Sequence, residues 1–114
     1  MRLFHNPRCT KSRAALDLCE QSGKRFTIIE YLKEGVDEKT IRGLIARLSS
    51  ELPTLVRTAE SEFDTQTDLD NADSVVRLLL SQPRCLQRPI LDDGKIAIIG
   101  RPPELILTLL QAHE

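Results

Sequence analysis

At 114 residues, 40% of them apolar and 29% charged, the chain has room for one soluble globular domain and not two. A single Tyr, three Phe and no Trp leave an aliphatic core and no stacking platform for single-stranded nucleic acid. The net charge of −1 excludes a global pull toward nucleic acid or acidic membranes, and no apolar run approaches a membrane span.

In chain order, Leu3-Phe4 reads as a short strand, and Asn6-Pro7 as the turn that ends it. Ala14, Ala15, Leu18 and Cys19 recur at helical spacing, and Ser22-Gly23 stops that helix. The β-branched and aromatic run Phe26–Tyr31 predicts a second strand. Strand, helix and strand in this order favour parallel pairing through a right-handed crossover. Asp37 caps a second helix with Ile41, Leu44, Ile45 and Leu48 on one face, and Pro53–Arg57 reads as a short extra turn before an acidic loop. A third helix carries Val75, Val76, Leu79 and Leu80 and ends ahead of Pro83. Pro89–Leu91 and Lys95–Ile99 form a strand pair, and Asp92-Asp93-Gly94 between them is a hairpin signal. Pro102-Pro103-Glu104 opens a last helix with Leu105, Leu107, Leu109 and Leu110 as its apolar residues.

The order β-α-β, helical insertion, β-β-α predicts an α/β chain of thioredoxin-like layout. It comprises a four-stranded mixed sheet flanked by helices, within one domain spanning 1–114. The insertion falls after the second strand, over roughly 37–82.

Charge is unevenly spread. Residues 1–13 carry Arg2, Arg8, Lys11 and Arg13 and no acid, whereas residues 51–73 hold seven acids against the single base Arg57. A basic N-terminal tip suits a small anion better than a polymer. Three cysteines, an opening without an apolar leader and no zinc spacing point to the reducing cytosol, with free thiols and neither a structural disulfide nor a metal.

Cys9 follows a strand and a proline turn at the predicted start of a helix. Unpaired amides and the positive end of the helix dipole favour a thiolate there. A thiol lowered from about 8.5 to about 7 would be half ionised at neutral pH, and the same amides would hold an oxyanion. Cys9-Thr10-Lys11-Ser12 is C-x-x-S, so Ser12 cannot resolve a mixed disulfide. The cysteine is expected to work as a monothiol completed by an external one. Arg13 lies four positions after Cys9, which does not fit a C-x5-R phosphate loop. Arg88 before Pro89, Arg101 before Pro102-Pro103 and the isolated Arg57 are candidate grips for a tetrahedral anion. Cys19 on the apolar face of its helix and Cys85 both read as ordinary core thiols, although Cys85, three residues before Arg88, is the alternative resolving group. Lys11 and Arg13 read as solvated positive charge.

His5-Asn6-Pro7-Arg8-Cys9-Thr10-Lys11-Ser12-Arg13, Arg88-Pro89-Ile90 and Gly100-Arg101-Pro102-Pro103-Glu104 together resemble the signature segments of the glutaredoxin-linked arsenate reductases. The likeness runs over essentially the whole chain. It departs at Thr10-Lys11, where the best-known reductases have Gly-Thr, and at Arg8, where they have a small residue. The resemblance implies attack on arsenate through Cys9, entry of glutathione as co-substrate, and clearance of the mixed disulfide by glutaredoxin, with no tightly bound cofactor. It further implies oxyanion binding by Arg57, Arg88 and Arg101, thiolate support from His5, and anion and thiolate support from Ser12. A cytoplasmic monomer is the default expectation. The rival expectation is a redox-sensing module of the same fold that contacts RNA polymerase, although such relatives carry a C-x-x-C switch that Ser12 removes. A related reductase with another thiol or oxyanion substrate is the third.

Overall fold

The first strand, β1 (Arg2–Phe4), has a neighbour on each side. Strand β2 (Thr27–Ile29) runs parallel to it with Leu3 opposite Ile28. Strand β3 (Ile90–Asp92) runs antiparallel on the other side with Leu3 opposite Leu91, and β4 (Ala97–Ile99) adds antiparallel to β3. The order β2-β1-β3-β4 is the mixed four-stranded sheet of the thioredoxin-like layout read from the element order. The computed structural model describes residues 1–112, so His113 and Glu114, the end of the expected 1–114 domain, lie outside it.

Period-two alternation sends successive strand residues to opposite faces. On one face Leu3 and Leu91 pack with Ala15 and Cys19 of α1 (Thr10–Ser22) and with Ile106, Leu109 and Leu110 near the C-terminus. On the other, Phe4, Ile90 and Ala97 pack with Tyr31, with Ile41 and Leu44 of α3 (Glu38–Arg47), and with Val75 and Leu79 of α4 (Ala72–Ser81). Each of these large apolar side chains contributes roughly 1.5–3 kcal/mol on burial. The Asp37 side chain accepts the Thr40 N–H at 2.8 Å and fixes the start of α3, as its capping role predicts. Gly94, at φ 92°, supplies the left-handed residue of the β3–β4 hairpin.

Several expectations shift. Tyr31 does not close the second strand. It opens the short helix α2 (Tyr31–Glu34), and its ring is fully buried under the sheet. Leu80 is exposed and Leu78 takes its place in the core, because Leu78, Val75, Leu79 and Val76 follow one another around a single arc of the helical wheel and Leu80 falls beyond its edge. Past Pro102 the chain forms a 3-10 turn, Pro103–Ile106, before α5 (Leu107–Gln111). The tighter turn buries Ile106 and leaves Leu105 in solvent.

One buried carboxylate ties the layers together. Asp92, at the end of β3, takes Arg2 of β1 at 2.8 Å and both Arg47 Nε and Nη2 at 2.9 and 2.7 Å, and also accepts the Gly94 N–H. Burial pushes its pKa up, but Arg47, the Gly94 amide and Arg2 outweigh it and hold the carboxyl below its ordinary value. No helix among the described residues is long and apolar enough to cross a membrane.

Candidate active site

Cys9 is the N-cap residue of α1, in extended conformation and partly exposed. The preceding loop is held by its own polar groups. Cys9 N–H donates to the Asn6 carbonyl at 3.0 Å, Arg8 N–H donates to Asn6 Oδ1 at 3.0 Å, and Arg13 reaches back to the Pro7 carbonyl at 3.1 Å. Arg13 is exposed, as a solvated charge is expected to be, and in addition braces the cysteine loop. Beneath the loop, His5, Asn6 and Ser12 are buried polar residues. Ser12 Oγ accepts the Asn6 N–H at 3.0 Å and lies 2.7 Å from His5 Nδ1.

Electrostatics favour the anion at Cys9. Burial is the largest single influence and pushes the thiol up. The Ser12 backbone N–H, a hydrogen bond from Arg88, the Lys11 N–H and the Arg88 charge outweigh it, so the thiol sits below its ordinary value. The other two thiols go the opposite way. Burial pushes Cys19 up to about 11, and burial with Glu60 and Glu62 raises Cys85. Both are sealed in the core. His5 is lowered, first by burial and then by the Arg13 charge, against the pull of Glu30 and the Ser12 hydrogen bond, so its surroundings favour the uncharged imidazole.

The arginines come from remote parts of the chain. Leu55–Gln87 pairing through Gln87 N–H at 2.8 Å, and Arg57 N–H to the Cys85 carbonyl at 2.7 Å, form a small antiparallel bridge at Val56 and Leu86. This bridge brings Arg57 beside Arg88. Arg88 precedes a cis proline, Pro89, and Arg101 precedes another, Pro102. Arg101 Nη1 donates to the Arg88 carbonyl at 2.8 Å, so it joins the site through the Arg88 main chain. Gly100 makes the close packing feasible: a Cβ there would lie 2.9 Å from the Pro89 ring. The structure thus gathers His5, Cys9 and Ser12 around the loop into α1 and its first turn, and links Arg57 and Arg101 to that loop by way of Arg88.

Two further residues belong to this neighbourhood. Glu60 shares one carboxylate oxygen between Arg57 Nε at 3.1 Å and Arg88 Nη1 at 3.3 Å, so Arg57 is not isolated. An Arg–Glu spacing of three is its one local signal, in a loop where acids are abundant. Tyr31, buried and pushed up to about 12 chiefly by burial, faces the charges of Arg88 and Cys9. Its strand-like sequence context gave no hint of this. Beside the loop opens a cavity of about 390 Å³ lined by Arg8, Lys33 and Arg84 together with Glu30 and Asn6. A second cavity of about 420 Å³ is lined by Glu62, Asp64 and Asp68 against Arg77 and has the wrong sign for an anion.

Comparison with known proteins gives a consistent picture. The ArsC family model matches residues 4–109. An arsenate reductase of Neisseria meningitidis serogroup A is 34% identical, the match covering 96% of this chain and 97% of that one. The uncharacterized protein YfgD of Escherichia coli is 32% identical over 96% of each chain. The solved structure of an arsenate reductase from Vibrio cholerae superposes with a TM-score of 0.81 at 30% identity, covering 95% of this chain and 97% of that one.

Proposed function

The chain belongs to the ArsC family, and from that premise we propose that it is an oxidoreductase that reduces arsenate to arsenite with Cys9 as the nucleophile. The observation that carries the proposal is a partly exposed thiol at the front of α1, lowered by two backbone N–H groups and Arg88. Arg57, Arg88 and Arg101 supply donors suited to a tetrahedral oxyanion, and Arg88 Nε is buried without a hydrogen-bond partner among the described residues. Ser12 and His5 hold the loop beneath the sulfur.

The Cys9 thiolate forms a sulfur–arsenic bond as one arsenate oxygen leaves as water, with arsenic still pentavalent. Glutathione then attacks. Its sulfur bonds to that of Cys9, the sulfur–arsenic pair passes to arsenic, and arsenite departs in the trivalent state. Glutaredoxin exchanges the glutathionyl group and returns the Cys9 thiolate. An external thiol is required because Ser12 stands where a resolving cysteine would be, and Cys19 and Cys85 are buried. Support for a carboxylate-bearing co-substrate comes from Arg8, Lys33 and Arg84, which line the cavity beside the loop and form no ion pair among the described residues. The reducing cytosol is the compartment this cycle needs.

Arsenate-dependent NADPH oxidation, measured with glutathione, glutaredoxin and glutathione reductase, tests the proposal. Turnover that vanishes in Cys9→Ser is the expected result. Absence of any arsenate-dependent rate in the wild-type protein would overturn it.

A further inference from the structure

We infer that Glu60 is a resident anion in the arginine cradle: without substrate its carboxylate occupies guanidinium donors that an oxyanion needs, and its displacement sets how tightly that oxyanion binds. The inference rests on the oxyanion reading of the site and deepens it.

The molecule holds its own standard for a permanent carboxylate–arginine clamp. Asp92 is fully buried, pairs with Arg47 through both oxygens at 2.7 and 2.9 Å, and takes Arg2 at 2.8 Å. Glu60 differs on every count. A single oxygen reaches one nitrogen of each arginine, at 3.1 and 3.3 Å, and the side chain remains 19% exposed. Long, single-oxygen contacts open to water exchange more readily than forked, buried ones.

The surroundings let the side chain leave without disturbing the fold. Glu60 N–H donates to the Arg57 carbonyl at 3.4 Å, and its own carbonyl accepts the Phe63 N–H at 3.1 Å. Phe63 packs on the core and anchors the turn. Only rotation about the Glu60 side-chain bonds is needed to vacate the arginines. The cradle also holds more donors than one carboxylate can satisfy, since Arg88 Nε is buried and unpartnered among the described residues. A tetrahedral oxyanion, with more oxygens than a carboxylate, can use that donor as well.

A competing carboxylate and a structural brace predict opposite signs. If Glu60 competes, removing its charge tightens oxyanion binding. If it merely relieves repulsion between Arg57 and Arg88, removing its charge loosens the cradle and weakens binding.

The test is protection of Cys9 from iodoacetamide by arsenate and by inorganic phosphate at constant ionic strength. Modification at Cys9 is read by mass spectrometry for the wild type, Glu60→Gln and Glu60→Ala. Half-protection should need roughly tenfold less anion in both variants, each compared with its own unprotected rate. Equal or higher half-protecting concentrations in both variants overturn the inference while leaving the oxyanion site standing, provided the wild type is protected. If neither anion protects any of the three proteins, the oxyanion reading itself falls, and the role of Glu60 with it.

Discussion

The Ser12 hydroxyl lies 2.7 Å from His5 Nδ1 and also accepts the Asn6 N–H, with all three residues buried beside the Cys9 loop. Ser12→Ala leaves two buried polar groups without their partner, at a cost of about 1–3 kcal/mol for an orphaned group. Urea unfolding should register that loss at pH 7. The same pair has a pH signature. His5 is depressed in the folded state, so the unfolded chain binds the proton more readily. The contribution is complete above the ordinary imidazole value of about 6.5 and is lost as pH falls through the lower folded value. The wild type should weaken in this window more than His5→Gln does.

Arg88 pairs with Glu60 and the Arg84 carbonyl, and its positive charge helps hold the Cys9 thiol below its ordinary value. Arg88→Ala should move the pH midpoint of Cys9 alkylation upward and lower kcat/KM on the order of a hundredfold, as loss of an oxyanion donor does. Arg88→Lys restores the charge without the planar fork and should recover the alkylation midpoint better than the turnover. An unmoved midpoint in Arg88→Ala would remove Arg88 from thiolate support.

Cys19→Ser and Cys85→Ser should keep most of the coupled activity, because both thiols are buried and raised. A dead Cys85→Ser protein of unchanged unfolding midpoint would replace the monothiol cycle with an internal disulfide.

Asp92→Asn removes the anion from between Arg2 and Arg47. Breaking a fully buried ion pair costs about 3–5 kcal/mol, and since water reaches both guanidinium groups here the loss should be nearer 2–3 kcal/mol. The Asp92 carboxyl is held below its ordinary value, so its contribution is present above about pH 4 and fades as pH falls through the depressed value. Urea midpoints of wild type and variant should therefore converge in acid.

Gly100→Ala would set a methyl group 2.9 Å from Pro89 Cγ and 3.2 Å from Ile106 Cγ2. A proline ring has no rotamer to escape into, so the backbone of Pro89, and with it Arg88, must shift. A loss of about 1–3 kcal/mol from overpacking is expected in unfolding experiments, together with weaker phosphate protection of Cys9.

Much of the fold is legible in local sequence. The Asp37 cap, the Asp92-Asp93-Gly94 hairpin and the apolar spacing of α1, α3 and α4 all depend on residues within a turn or two of each other. Where Leu80, Leu105 and Tyr31 depart from expectation, neighbouring layers decide which rim residue is covered, and periodicity alone does not carry that. Cys9 likewise announces itself, because a helix start after a proline turn is a local feature with its own electrostatics.

By itself, then, the sequence determined the order of the main elements, the position of the Cys9 sulfur at a helix front and the absence of a second cysteine in C-x-x-S. Tertiary structure alone decided the partners of the charges. It paired Glu60 with Arg57 and Arg88, spent Asp92 on Arg2 and Arg47, and aimed Arg101 at the Arg88 carbonyl. The reason is range. Hydrogen bonding and helix dipoles at a turn act between near neighbours in the chain, whereas an ion pair requires only closeness in space, and folding assigns that closeness between segments dozens of residues apart.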